Sequence, residues 1–303
     1  TLEQLAKVKN VVFDKTGTLT TGRFKIRNFN AIGIAENEAK AIIYNLEKHS
    51  SHPIAKSIVK ELGQQPAMSF TKIEEIKGTG ILAVDKDSND YRLGSTAVLV
   101  EGENNDSADI FLTKNGTVCA SLNIEDEIKP EAKEVIDALK TTGIKTFLLS
   151  GDKHEKCESL ASMLGIDQVY AEKKPDEKLE IIAQLNRETP TAMVGDGIND
   201  APALAKATVG ISLSNATEVA VNSAQIILLN ESLAPLNTAF GMGKHTLITI
   251  KQNLFWAFFY NVLAIPVAAV GMLNPMIAAL AMAFSDVIVI GNSLRLKRKR
   301  ITI

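Results

Sequence analysis

Short apolar runs rich in branched residues, each stopped abruptly by a polar turn, recur along the chain at Val8 to Phe13, Lys145 to Leu149, Ala192 to Val194 and Ile226 to Leu229. Runs of this kind predict buried strands. Between them the spacing of apolar positions becomes helical. Pro130 opens one such helix, Val135, Ile136 and Leu139 line its apolar face, and Gly143 closes it just before the strand at Lys145. Strands alternating with helices predict an α/β fold, a parallel sheet covered by helices.

From Phe24 to Val118 the pattern differs. One long helical segment, Glu36 to Leu62, is followed by strand-like pieces with turn signals at Lys77-Gly-Thr-Gly80, Asp87-Ser-Asn-Asp90 and Lys114-Asn-Gly116. Hairpins are implied, and with them a separate α+β domain. An exposed loop after the first strand is where such an insertion is tolerated. The expected organisation is therefore residues 1–23 and 119–245 as the two parts of the sheet domain, 24–118 as the insertion and 246–303 as an apolar tail.

In that tail, Ile250 to Gly271 and Met276 to Leu294 are nearly unbroken apolar stretches, each long enough to cross a hydrocarbon core of ~30 Å. They predict two membrane helices joined by Met272-Leu-Asn-Pro275. The basic run Arg295 to Arg300 places the end of the chain, and so the long polar portion, in the cytoplasm of a multi-pass membrane protein. Two buried helices of a soluble domain are the alternative, which two adjacent stretches of this length disfavour.

The chain has 303 residues, room for two or three domains. Its 35 acidic and 33 basic residues nearly cancel, so an anionic ligand must be held locally and nucleic acid is not an expected partner. Cys119 and Cys157 lie far apart without a CxxC pairing, which speaks for buried thiols rather than a disulfide framework or thiolate metal site. The start, Thr1-Leu-Glu-Gln-Leu, carries no signal-peptide pattern and reads as the middle of a longer protein.

The chemistry gathers at strand ends. Asp14-Lys-Thr-Gly-Thr-Leu-Thr20 follows the first strand, Ser150-Gly-Asp152 follows Phe147 to Leu149, and Gly195-Asp-Gly-Ile-Asn-Asp200 follows Ala192 to Val194. Ligands of open parallel sheets bind at that edge. Asp14 offers a nucleophile, while Thr16, Gly17 and Thr18 bring hydroxyl and backbone donors for phosphate oxygens. Ser150 can donate to a phosphoryl oxygen, Lys178 can neutralise it, and Asp196 can hold Mg²⁺ opposite Asp14, with Asn199 and Asp200 orienting that shell. Each cluster alone is ordinary turn chemistry; the three together are not.

The motifs DKTGTLT at Asp14 to Thr20, SGD at Ser150 to Asp152, KPDEK at Lys174 to Lys178 and GDGINDAPAL at Gly195 to Leu204 resemble those of P-type ATPases, whose phosphorylation domain is haloacid-dehalogenase-like. Ser150 stands where that family usually has Thr, which keeps the hydroxyl. The resemblance implies that Asp14 accepts the γ-phosphoryl group of ATP, with Lys15, Thr16, Ser150 and Lys178 as the catalytic set. It implies Mg²⁺ at Asp14, Thr16 and Asp196, and Asp152 toward the nucleotide. Positioning and charge neutralisation do most of the work in such transfers. In relatives that are not pumps the position of Thr16 is an acid/base Asp, so Thr16 suits a phosphoenzyme that persists.

Glu47, Ser51-His52-Pro53 and Gly78-Thr79-Gly80 resemble the nucleotide pocket of the heavy-metal-transporting class, which implies Glu47, His52, Gly78 and Gly80 around adenine. Tyr260 and Asn261, with Met282 and Ser285 on the next helix, resemble the transport site of Cu(I) pumps. A thioether suits soft Cu(I), but Asp286 departs from the Cu(I) pattern and keeps a Zn²⁺ or other divalent pump open. ATP, the transported ion, a lipid membrane and a metallochaperone are the partners implied. The actuator domain and the earlier helices of that family have no counterpart here, so a fragment of a pump is expected. A membrane-tethered phosphatase of the same superfamily is the rival, and it needs an acid/base Asp where Thr16 stands.

Overall fold

The computed structural model describes residues 1–76, 79–99, 108–196, 200–213, 223–229, 231–271 and 274–298. In chain order the strands are β1 (Asn10–Phe13), β2 (Thr20–Ala31), β3 (Phe70–Ile76), β4 (Gly80–Asp85), β5 (Asp90–Gly94), β6 (Ile110–Lys114), β7 (Thr117–Ile128), β8 (Lys145–Leu149), β9 (Gln168–Tyr170), β10 (Thr191–Gly195), β11 (Val209–Leu213) and β12 (Ile226–Leu228). The helices are α1 (Leu2–Leu5), α2 (Glu36–Glu47), α3 (Pro53–Leu62), α4 (Ala132–Thr141), α5 (His154–Leu164), α6 (Pro175–Glu188), α7 (Ala201–Lys206), α8 (Pro235–Ala269) and α9 (Pro275–Arg298). Two compact units result: Thr1–Leu19 with Lys129–Ile303, and Thr20–Ile128.

The first unit is built on a parallel six-stranded sheet ordered β12-β11-β10-β1-β8-β9. Its central strand is buried throughout, as strands covered on both faces must be. Val12 packs with Phe147, Leu149 and Met193 against Ile182 and Leu185 of α6 and Leu204 of α7. Pleat alternation turns Val11 and Phe13 to the opposite face, and both are fully buried there. Strands β9 and β11 were not expected from the sequence: β9 has only three residues, and the Gly and Ser inside Val209–Leu213 dilute its apolar run.

The second unit is an antiparallel sheet ordered β2-β7-β6-β5-β4-β3. Its core joins Ile42, Ile43 and Leu46 of α2 and Ile58 of α3 to Ile81, Ala83, Leu93, Leu112 and Leu122 of the sheet. The unit is longer than the expected 24–118. Strands β2 and β7 pair from Thr20↔Ile128 to Ala31↔Ala120, so the insertion leaves and re-enters the chain as one strand pair. The single helix expected from Glu36 to Leu62 is two. His52 is extended (φ −63°, ψ 139°) before Pro53, which opens α3; the proline ring disfavours a helical residue before it.

Helix α8 is 35 residues long and carries Pro266; among the described residues it is the one helix long and apolar enough to cross a membrane. Most of its large apolar side chains beyond Ile250 are exposed, Leu254, Phe255 and Val262 among them. Helix α9 has 24 residues and is joined to α8 by polar side chains. Asn292 Nδ2 donates to Asn253 Oδ1 at 2.8 Å, and Asn253 Nδ2 donates to Ser293 Oγ at 2.9 Å.

Candidate active site

Asp14 follows β1, and its amide donates to the Val194 carbonyl of β10 at 2.9 Å. The adjacent strand β8 is in register Phe13↔Leu148, so Ser150 also lies just past the sheet edge. Asp14, Ser150, Lys178 and Asp200 are all buried. The chain turns sharply after Asp14. Thr16 is extended (φ −74°, ψ 128°) and exposed, and Gly17 takes φ 73°, a conformation that costs a side-chain-bearing residue energy.

Lys178 sits in the first turn of α6. Pro175 opens that helix, and Glu177 Oε2 accepts the Lys174 amide at 2.8 Å. From there Lys178 Nζ donates to Asp14 Oδ1 at 2.7 Å and to Asp200 Oδ1 at 2.9 Å. One ammonium therefore bridges two buried carboxylates. Burial pushes the Asp14 carboxyl up to about 7; the Asp200 charge adds to this, Lys178 opposes it and Asp196 adds a little more. For Lys178 burial acts downward, but Asp14 and Asp200 outweigh it and hold its pKa above the usual lysine value.

Carboxylate oxygens of Asp14, Asp196 and Asp200 lie within 4.8 Å of one another. Three oxygen donors against one lysine leave an excess of negative charge, the donor set a hard cation such as Mg²⁺ selects. These residues fit that ion. Asp200 is thus a member of the carboxylate cluster and the second partner of Lys178, rather than only an orienting residue. Asn199 lies outside the described residues.

Asp152 forms an ion pair with Lys15, so the carboxylate read as nucleotide-directed engages the residue next to Asp14. Its loop is held in place: Ser150 Oγ accepts the Asp152 amide at 3.2 Å, and the Ser150 amide donates to the Tyr170 carbonyl at 2.9 Å. Cys157 and Cys119 are both buried. The sequence did not reveal the Lys15–Asp152 pair, because only the β1–β8 neighbourhood brings together residues so distant in the chain. Thr18, expected as a hydroxyl donor to phosphate, has its Oγ1 buried without a hydrogen-bond partner among the described residues.

In the second unit, Glu47 ends α2 and His52 caps α3, with Nδ1 accepting the Ile54 amide at 3.3 Å. The Glu47 carboxyl is buried, and burial followed by the Glu75 charge raises it to about 7. At Gly80 the backbone itself requires a glycine. A Cβ there would stand 2.1 Å from the Leu93 carbonyl oxygen, and one on the paired Gly94 would stand 2.2 Å from that of Thr79. Two backbones approach too closely for side chains. Gly78 lies outside the described residues.

On the long helices, Asn261 Nδ2 donates to its own helix at the Ala257 carbonyl, 2.9 Å away. Met282 is exposed and Ser285 half-buried on α9. The Tyr260 side chain lies outside the described residues.

The haloacid dehalogenase-like hydrolase family matches residues 8–208. The chain is 37% identical over 311 residues to the copper-exporting P-type ATPase of Mycobacterium tuberculosis (strain ATCC 25618 / H37Rv), covering 98% of this chain and 41% of the relative. It is 38% identical over 322 residues to the copper-exporting P-type ATPase of Legionella pneumophila subsp. pneumophila (strain Philadelphia 1), covering 98% and 44%. The chain thus spans less than half the length of these relatives. Among solved structures, a zinc-transporting PIB-type ATPase in the E2.Pi state superposes with TM-score 0.82 and 29% identity, over 98% of this chain and 51% of that one. The catalytic domain of the CPx-ATPase CopB-B superposes with TM-score 0.69 and 32% identity, over 79% of this chain and 92% of that one.

Proposed function

Because the chain belongs to the haloacid dehalogenase-like hydrolase family and, within it, to the heavy-metal P-type ATPases, we propose that it is the catalytic part of a pump that drives soft Cu(I) across a membrane through an aspartyl phosphate on Asp14. The observation that carries this is Lys178, one ammonium bridging the buried carboxylates of Asp14 and Asp200 at a parallel-sheet edge. In the proposed step an Asp14 carboxylate oxygen attacks the γ-phosphorus of ATP. The new acyl-phosphate bond forms as the γ-phosphorus–bridging-oxygen bond breaks, and ADP leaves with that electron pair. Lys178 neutralises charge beside the attacking carboxylate, and Ser150 donates toward a phosphoryl oxygen. Bound at Asp14, Asp196 and Asp200, Mg²⁺ would supply charge neutralisation for the phosphates.

The second unit is the nucleotide-binding domain in this reading, with Glu47 and His52 flanking adenine. Helices α8 and α9 form a hairpin of a multi-pass membrane protein whose catalytic domains are cytoplasmic. Met282 supplies a soft thioether to the ion, and Tyr260, Asn261 and Ser285 lie around it. A metallochaperone would deliver Cu(I). One observation favours a second ion: the carboxylate of Asp286 on α9 suits a divalent cation, and a zinc-transporting enzyme is among the structures the chain resembles.

Incubation of the purified chain with γ-labelled ATP and Mg²⁺ tests the catalytic reading. It predicts an acid-stable label that hydroxylamine removes. Release of inorganic phosphate from unrelated phosphate esters with no trapped label would point to the membrane-tethered phosphatase instead.

A further inference from the structure

Glu75 stands opposite Ile81 across the β3–β4 pair, and Ile73 stands opposite Ala83. Directly opposed residues share a sheet face. Ile81 and Ala83 are buried under α2 and α3, so Glu75 is on the helix-covered face, at its open edge strand. There its Oε1 accepts the Ser50 hydroxyl at 2.9 Å. Ser50 Oγ in turn accepts the His52 amide at 3.2 Å, and the Ser50 amide donates to the Glu47 carbonyl at 3.0 Å. His52 Nδ1 accepts the Ile54 amide, which requires a lone pair on Nδ1 and leaves the ring proton of the neutral imidazole on Nε2. The acidic side chain of a remote strand is thereby connected, through a single serine, to the turn that carries the histidine.

We propose that Glu75 is a positioning residue of the nucleotide pocket: through Ser50 it fixes the turn from Glu47 to His52 and presents the His52 imidazole as its Nε2–H tautomer. This rests on the assignment of Glu47 and His52 to that pocket. Ser51 and His52 are exposed and Ser50 is half-buried, so the turn has few buried contacts of its own to hold it, and an imidazole that must meet a purine gains affinity from being oriented beforehand. The buried Glu47 carboxyl stands at the other end of the same turn. The Glu75 charge lies close enough to Glu47 to help hold its proton.

The chain has four histidines, so the full chain labelled with [¹⁵N]histidine in detergent micelles, with His52→Gln for assignment, gives a readable imidazole spectrum. Wild type should show the Nε2–H tautomer at His52 and a shift on addition of ATP. Glu75→Ala should mix the tautomers and weaken ATP binding about 3–10-fold, the usual consequence of losing one well-placed hydrogen bond. Glu75→Gln, whose amide oxygen can still accept from Ser50, should restore both. A Glu75→Ala chain with the wild-type His52 spectrum and ATP affinity would overturn the positioning role alone. Wild-type His52 signals that ignore ATP, while Glu75→Ala still alters the tautomer, would overturn the pocket assignment instead.

Discussion

Gly17 and Asp196 meet so closely that a Cβ on the glycine would stand 2.8 Å from Asp196 Oδ2. Gly17 also holds φ +73°, so two demands fall on one position: a left-handed backbone, and space for a carboxylate of the cation cluster. Gly17→Ala should cost ~1–2 kcal/mol for the backbone alone and push Asp196 away from Asp14. A melting temperature lower by several degrees and at least a tenfold loss of labelled phosphoenzyme are expected. Unchanged labelling would show that Asp196 does not need its present place.

Asp14→Asn should abolish the phosphoenzyme, since an amide of the same shape is a poor nucleophile. ATP affinity should stay within a few fold of wild type, or tighten, because a negative charge facing the γ-phosphate is gone. The measurement is acid-quenched labelling beside an ATP titration of the same preparation. Full labelling of the variant would move the nucleophile elsewhere.

The two preceding variants differ in how far the sequence announced them. Asp14 was legible because a branched apolar run ends in a carboxylate, and two other runs end the same way; local periodicity orders those strands at one edge. Gly17 was legible only as a residue of the phosphate-binding turn, since the partner that needs the room, Asp196, lies far away in sequence. The same holds for Asp200, whose bond to Lys178 depends on where α6 and α7 dock. The insertion is expected to end at Val118, inside β7, because the later half of that strand, Asn123 to Glu127, is mostly polar and pairs with β2 on a half-exposed edge. The break at His52 was encoded by Pro53, but the apolar spacing of α2 and α3 runs in phase across it and hides the turn.

Glu47 gives the chain a pH dependence with a definite sign. Its folded pKa is raised to about 7 from 4.5, so between those values the folded chain keeps a proton that the unfolded chain has released. The stability tied to this group is fully present below about pH 4.5 and lost as pH rises through about 7. Glu47→Gln does not titrate. Its melting temperature should match wild type near pH 4.5 and exceed it by a growing margin up to about pH 8. A constant difference across that range, read by calorimetry without nucleotide, would mean that Glu47 is ionised throughout.

The ion is decided by a pair of variants in the intact pump. Met282→Leu keeps volume and apolarity but removes the sulfur, and a volume-conserving swap on a helix that exposes this side chain should leave folding intact. If Cu(I) is the cargo, a soft thioether is the ligand a hard side chain cannot replace, and copper-stimulated ATP hydrolysis should fall at least tenfold. Asp286→Ser tests the rival chemistry, because a carboxylate is dispensable to Cu(I) but valuable to a divalent cation, whose charge it offsets in a medium where unpaired charge is costly. Loss of zinc-stimulated turnover in Asp286→Ser, with Met282→Leu as active as wild type, would replace the copper reading with a divalent pump. The reverse pattern, turnover lost with the sulfur and kept without the carboxylate, leaves Cu(I) as the ion these two helices select.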